Sequence, residues 1–594
     1  MIVPMKKIVV MTLSREASQA LADLRDLGMV HVERKNSTEK PGSSRVKSEI
    51  QDLEKAIDVL SNFKPKALGG ARPQSWLEKA REVISIAEKI EQLKTNLARG
   101  QAEIEAYLPW GSFDPQSVRD LAPAGIDAYL CELRKEDLRD FPADDVVQVV
   151  SRKGPLLRCL VLSRRGVKPL FPVVPLPKQG LREIRGERER DLAALKNLQE
   201  QLRQGAVLAG GLKRHCKVLT AELHFAEAAE SMGSSDGLVY LQGYAPEPSM
   251  ELLKAAAQKN SWALMIQDPE PDDNVPTFLR NPKWVGLVTP IFNFMNILPG
   301  YREADVSWTF LVFFSVFFGI LVGDIGYGTM FFLATALFHR KNKSEAAMRP
   351  AFVLMYVLSG CAILWGVLTG SFFGQAWLAG KWPPLVPWLT EYHNIQKLCF
   401  IIAVVHLSIA HVWRMIVRLP SLTALAEGGW LLVLWATFFL VNLLILKEPI
   451  PSWGGPFFFA GLALIVLFSR PQKNVLKGVL SGVGVLLANA LTFINNFSDI
   501  VSYIRLFAVG LATVAVADAF NQIAGSIGMN SVLAGFGAAL ILVFGHLLNL
   551  ILCALAVVVH GIRLNVLEFS SHMNLEWSGV EYDPLRKTET EKSY

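Results

Sequence analysis

Ser498-Asp-Ile-Val-Ser-Tyr-Ile-Arg-Leu-Phe-Ala-Val-Gly-Leu-Ala512 places one arginine, Arg505, inside an apolar run that continues to Ala519. A second run, Val532 to Leu567, carries His560 and Arg563 near its end. An arginine at membrane depth costs roughly 3 kcal/mol on the mildest insertion scale, so it implies a partner or a function. Outward from this stretch the chain divides into two unlike halves. Residues 1 to about 300 are charged and mixed, whereas from about Trp308 onward Leu, Phe, Val, Ala and Gly dominate. The overall 51% hydrophobic content averages the two, and the second half reads as a polytopic membrane domain.

Composition narrows the function. The net charge of +6 is modest for 594 residues and the basic residues of the first half are dispersed, so nucleic acid is not an expected partner. The sequence carries no Gly-x-x-x-x-Gly-Lys-Ser/Thr phosphate loop, and no nucleotide site or other cofactor is expected. The six cysteines, Cys131, Cys159, Cys216, Cys361, Cys399 and Cys553, have no metal-ligand spacing and read as thiols in a reducing compartment. Met1 to Val10 already holds Lys6 and Lys7 and lacks a cleavage pattern, so the first half is expected in the cytoplasm.

That half reads as α/β and coiled coil. Lys7 to Thr12 is a β-branched run. Ser14 to Leu27 has Ala17, Leu21, Leu24 and Leu27 at helical spacing before Gly28, and Met29 to Glu33 looks like a strand. Helical arms are expected at about 45–106 and 181–232, from leucine-rich steps of three and four such as Ile50, Leu53, Ile57 and Leu60. Between them, strand-like Asp127 to Glu132, Val146 to Ser151 and Leu156 to Leu162 mark a second α/β lobe. An arm of roughly 50 residues would extend about 75 Å as one helix, the length of a tether.

The domain from 301 to 594 is expected to cross the membrane eight times: two short spans within 308–340, then 351–373, 398–418, 428–447, 455–470, 478–527 and 531–568. Positive charges mark the cytoplasmic ends of short loops: Arg340, Lys341, Lys343 and Arg349; Arg414 and Arg418; Arg470, Lys473 and Lys477; and Arg586, Lys587 and Lys592 in the tail. With both termini inside, the run 308–338 must leave and return, and the glycines around Asp324 supply the turn. A single tilted 31-residue span is the alternative. The run 478–525 holds more residues than one upright crossing needs, so either it tilts steeply or Val479 to Asn496 lies along the interface. The last helix is likewise long and is expected to tilt.

At about 100° per residue, Ser498, Ser502, Arg505 and Thr513 share a face, and His546, Asn549, His560 and Arg563 share another. Asp518, Asn521 and Gln522 point elsewhere, towards the outer end. Polar groups at two depths suit two offset aqueous routes for an ion. The plainer alternatives are snorkelling for Arg505, a boundary anchor or a pair with Glu568 for Arg563, core histidines, a turn at Asp324 and a helix start at Glu427.

Ser502-Tyr-x-Arg505-Leu, His560-x-x-Arg563-Leu with Glu568, Gly323-Asp-x-Gly-Tyr-Gly328 and Trp365-Gly-x-Leu-x-Gly-Ser-Phe-Phe-Gly374 together resemble the a subunit, or subunit I, of vacuolar/archaeal-type rotary ATPases. Leu241-x-Gly-Tyr-x-Pro246 and Pro276-Thr277 look like that family's domain junction; Tyr301-Arg-Glu-Ala-Asp-Val306 departs from it by lacking a proline after the last acidic residue. The resemblance implies a non-catalytic stator in a bacterial or archaeal cell membrane. Its implied partners are a proteolipid c/K ring with membrane carboxylates, peripheral stalk subunits, the central-stalk subunit that attaches to the ring, and the lipid bilayer. Arg505 would be the essential arginine and Arg563 the supporting one, with His560, Glu568, Ser502, Ser498, His546 and Asn549 along the H⁺ or Na⁺ path and Asp518, Asn521 and Gln522 towards an outer half-channel. A secondary transporter or channel with a cytoplasmic regulatory domain is the competing reading. It would require paired internal repeats with broken helices, and none is visible.

Overall fold

The computed structural model describes residues 1–33, 41–63, 75–142, 144–164, 172–235, 237–342, 348–374, 383–472, 474–488, 490–528 and 531–587. Lys343, Lys473 and Lys592 of the charge pattern lie outside these. The chain forms two compact units. One comprises Met1–Lys7, Tyr244–Met250 and Ile266–Asp583; the other comprises Ile8–Gly243, Glu251–Met265 and Pro584–Tyr594. Residues 266–300 thus group with the apolar helices, ahead of the boundary read at residue 300. The parallel pairing of Pro276–Thr277 with Val580–Glu581 shows why: segments far apart in sequence join there.

A five-stranded sheet has the order His31–Val32, Leu238–Pro246, Met5–Leu13, Ala263–Gln267, with Gly233–Ser235 paired to Leu238–Pro246. Helix Ala17–Leu27 buries Ala20, Leu21 and Leu24, and Gly28 ends it in the left-handed conformation at φ 64°. A second, antiparallel sheet orders Val146–Lys153, Leu156–Ser163, Asp127–Arg134 and Val173–Val174. Its alternating inward residues Cys131, Leu133, Leu157, Cys159 and Val161 form a small core.

The arms differ from one long rod. Pro41–Ser61 and Trp76–Tyr107 lie side by side, with Arg81 reaching Asp52 at 3.2 Å, and they share one core with Leu181–Gly205 and Ala209–Glu230. The longest of these helices has 32 residues, about 48 Å, so no single helix reaches the expected 75 Å. Leu53, Ala56 and Leu60 of one helix and Ala80 and Val83 of the next share their core with Leu202, Leu212 and Leu219, so the helices gather into a bundle.

In the other unit, five helices among the described residues are long and apolar enough to cross a membrane: Arg349–Thr369, Tyr392–Arg418, Thr423–Leu446, Ala490–Ile527 and Val532–Met573. The run 308–338 is two helices, Ser307–Val322 and Ile325–Lys341, broken where Gly323 takes φ 60° and the Asp324 side chain accepts from the backbone of Gly326 and Tyr327. The single 31-residue span is therefore excluded. The chain reverses there: a Cβ at Gly319 or Gly323 would touch Cys361 or Trp365, while one at Gly328 would touch Ile363 and the Phe332 ring meets Tyr356. The two helices thus run in opposite senses along Arg349–Thr369.

The run 478–525 also divides. Val475–Ala488 packs on Gly454–Phe468, and Ala490–Ser502 and Ile504–Ile527 follow, interrupted at Tyr503. Gly429 and Gly461 face each other so closely that a Cβ on either would lie 2.8 Å from the other's carbonyl oxygen, which lets Thr423–Val441 and Gly454–Phe468 meet backbone to backbone.

Leu53 is fully buried where the helices of the bundle converge. Leu53→Ala is expected to destabilise the α/β unit by about 2–5 kcal/mol, read as a lower first unfolding midpoint of the full chain in denaturant.

Candidate functional site

Arg505 opens the helix Ile504–Ile527, just after the Tyr503 break. Its Nε donates to the Ser502 carbonyl at 3.2 Å and its Nη2 to Glu568 Oε1 at 2.9 Å. Glu568 is buried on the last helix, and Arg563 Nε stands 3.6 Å from the same Oε1. The arginines are not equivalent: the Arg505 side chain is 21% exposed and that of Arg563 53%. Glu568 Oε2 and the buried Nδ1 of His560 have no hydrogen-bond partner among the described residues. Arg505 thus has a carboxylate partner, Glu568, within its own chain.

Two wide turns make this possible. The last helix loosens to i→i+5 hydrogen bonding at Val557–Gly561 and at Leu564–Phe569. Each such turn shifts the phase of the following side chains. Of the residues predicted to share a face, His546 and Asn549 lie ahead of both turns, His560 within the first and Arg563 between the two, and they fall at two sites along the helix.

His546 and Asn549 belong to a second network. Asn549 Nδ2 donates to Tyr327 Oη at 2.9 Å and to the Thr513 carbonyl at 2.8 Å. Tyr327 Oη lies 2.7 Å from His546 Nδ1, His546 Nε2 lies 3.2 Å from Asn521 Oδ1, and Asn521 Nδ2 donates to the Phe373 carbonyl at 2.7 Å. The directions agree when the Tyr327 hydroxyl donates to Nδ1 and a neutral His546 donates from Nε2. Asn521, expected towards an outer half-channel, is a member of this network. Asp518 pairs with Gln522 at 2.8 Å, and Ser498 is exposed. Asp324 caps its helix as expected and also accepts from Ser371 Oγ at 2.7 Å.

Sequence reasoning missed several residues. Tyr327 was visible only as part of a glycine-rich motif. His406 is fully buried between the rings of Phe313 and Phe569, at centroid distances of 3.8 and 4.3 Å, and its Nδ1 is 2.8 Å from the hydroxyl of Tyr503. Glu427 is no simple helix start. It is 2% exposed and accepts from Arg414 at 2.8 Å and Arg418 at 2.5 Å, with His411 Nδ1 3.4 Å away. The signal available was the i, i+4 spacing of the two arginines facing an acidic residue across a short turn.

The arginine–glutamate pair lies within a unit whose helices are long and apolar enough to cross a membrane. The chain is 31% identical over 623 residues to the V-type ATP synthase subunit I of Borreliella burgdorferi, covering 99% of this chain and 100% of the relative. It is 32% identical over 642 residues to subunit I 1 of the Treponema pallidum V-type ATP synthase, with 99% and 100% covered. The A-type ATP synthase subunit I of Methanocaldococcus jannaschii matches at 24% identity over 413 residues, 62% of this chain and 58% of that protein. No family model matches the chain. The chain belongs to the subunit I family of V/A-type ATP synthases, the membrane subunits of rotary ATPases.

Tyr327→Phe removes the hydroxyl that joins Asn549 to His546 and leaves buried polar atoms unpaired. A loss of about 1–3 kcal/mol is expected, measured as a lower thermal midpoint of the purified protein in detergent.

Proposed function

We propose that the chain is the membrane stator of its rotary ATPase, forming two ion half-channels against a proteolipid ring and so coupling H⁺ or Na⁺ movement to ATP hydrolysis or synthesis. The observation that carries the reading is the Arg505–Glu568 pair. A guanidinium stays charged at any accessible pH. Its attraction for an ionised carboxylate would draw the ion off each ring carboxylate that arrives, and the same charge would stop ions leaking directly between the two half-channels. Glu568 holds Arg505 in place between arrivals and gives its charge a resting partner.

The eight spans, with both termini cytoplasmic, belong to this proposal. The reversal at Gly323–Asp324 and the short helices Ser307–Val322 and Gly454–Phe468 support the count. Peripheral stalks would grip the helical arms, the central-stalk subunit would meet the ring, and the bilayer would surround the remainder. The competing transporter reading gains no support from an internal repeat.

Arg505→Gln is expected to abolish ATP-coupled ion transport in reconstituted vesicles while the complex still assembles; normal coupled transport in that variant would overturn the proposal. Arg563→Ala is expected to impair coupling less, because its side chain is more exposed and lies farther from Glu568. Equal loss at both positions would mean that the two arginines act as one site.

A further inference from the structure

Between Tyr392–Arg418, Thr423–Val441, Ala490–Ser502 and the end of the last helix lies a cavity of about 360 Å³, lined among others by His411, Arg414, Glu427, Asn496, Asp499 and His572. It has room for several waters. Asn496 is buried, and its Nδ2 has no hydrogen-bond partner among the described residues, so a polar occupant is called for.

A chain of close polar contacts runs along one wall. Glu427 Oε2 is 3.4 Å from His411 Nδ1, His411 Nε2 is 3.1 Å from His572 Nδ1, and His572 Nε2 is 3.1 Å from Asp499 Oδ2. Arg414 and Arg418 hold Glu427 as a carboxylate, and Arg414 Nη1 also donates to the His572 carbonyl at 3.0 Å. The imidazole rings meet edge to face, with centroids 5.2 Å apart.

Counting protons sets this chain apart from the His546 network. Three contacts need three protons, and two neutral imidazoles bring only two. If each imidazole donates to its own carboxylate, two nitrogen lone pairs face each other at 3.1 Å, an arrangement only an added proton relieves. The two arginines and two carboxylates cancel in formal charge. In the His546 network, by contrast, each contact has its proton with every group neutral, and the network ends on a backbone carbonyl, although Asn549 Oδ1 has no hydrogen-bond partner among the described residues.

We propose that His411 and His572 are a proton relay delivering to Asp499, so that the ion handled by this chain is H⁺; this deepens, and rests on, the stator reading above. A hydronium ion in the cavity gives its proton to His411 Nε2, which hands it on to His572 Nδ1: one O–H bond breaks, one N–H bond forms, and a water molecule and the His572 imidazolium remain. His572 then releases its Nε2 proton to Asp499: one N–H bond breaks, one O–H bond forms, and His572 returns to neutral. Asp499 precedes Arg505 by six residues, about 9 Å of helix, so the proton arrives close to the arginine. No chain of this kind could pass Na⁺.

The test uses the assembled ATPase complex in sodium-free vesicles, following ATP-driven lumenal pH change. His411→Gln and His572→Gln keep a hydrogen-bonding group but cannot carry a proton. Each is expected to lower pumping at least about tenfold, and His572→Ala is expected to recover when imidazole is added. Wild-type pumping in both glutamine variants would overturn the relay, as would a requirement for Na⁺ without any pH change. A defect in His572→Ala that imidazole leaves untouched would reduce the pair to packing. Arg505→Gln in the same vesicles separates the two readings: it is expected to block pumping with or without imidazole. If it pumps normally the stator reading fails, whereas failure of the histidine variants alone removes only the relay.

Discussion

A charged guanidinium held against a carboxylate between apolar helices constrains the arrangement of everything around it. Burying both ions is costly, and removing one partner of such a pair typically costs about 3–5 kcal/mol, so the helices that carry them cannot drift apart freely. Arg505 stands at a helix break and Glu568 in a widened turn. Both are local departures from regular helix. Tyr503, at the break, is anchored through its hydroxyl to His406, which is itself clamped between Phe313 and Phe569. Phe569 follows Glu568 in sequence, so one packed cluster restrains both ends of the ion pair.

Around this pair are two polar networks built from the same kinds of residue with opposite proton balance. Tyr327, His546, Asn549 and Asn521 have a proton for each contact between them as neutral groups, with Asn549 Oδ1 left without a partner among the described residues. His411 and His572, between two carboxylates, are one proton short. A network with a proton for every contact suits a fixed joint between the first helix pair and the last two helices. One that is a proton short suits a group that accepts and passes on a charge. Hydrogen-bond direction, rather than the presence of histidine, separates these roles.

Much of the architecture was legible in the sequence because it rests on local rules. Gly323-Asp324 could be read as a reversal since a left-handed glycine followed by a capping aspartate does the same thing in most surroundings. The arms were legible as helices from their leucine spacing, yet their gathering into a side-by-side bundle depended on which stripes met. The phase shared by His546 and Arg563 is shifted by the one wide turn between them, Val557–Gly561, and nothing in its local sequence announces it.

The sequence by itself determined that this is a chain of two halves with rare charges in an apolar second half, because composition and periodicity act over short windows. It also carried the arginine motifs that point to the family. Only the tertiary structure decided which charges are partnered. Glu568 lies 63 positions from Arg505, and His572 lies 161 from His411. Ion pairs and proton chains of that reach are set by how helices pack, and packing is a property of the whole fold rather than of any stretch within it.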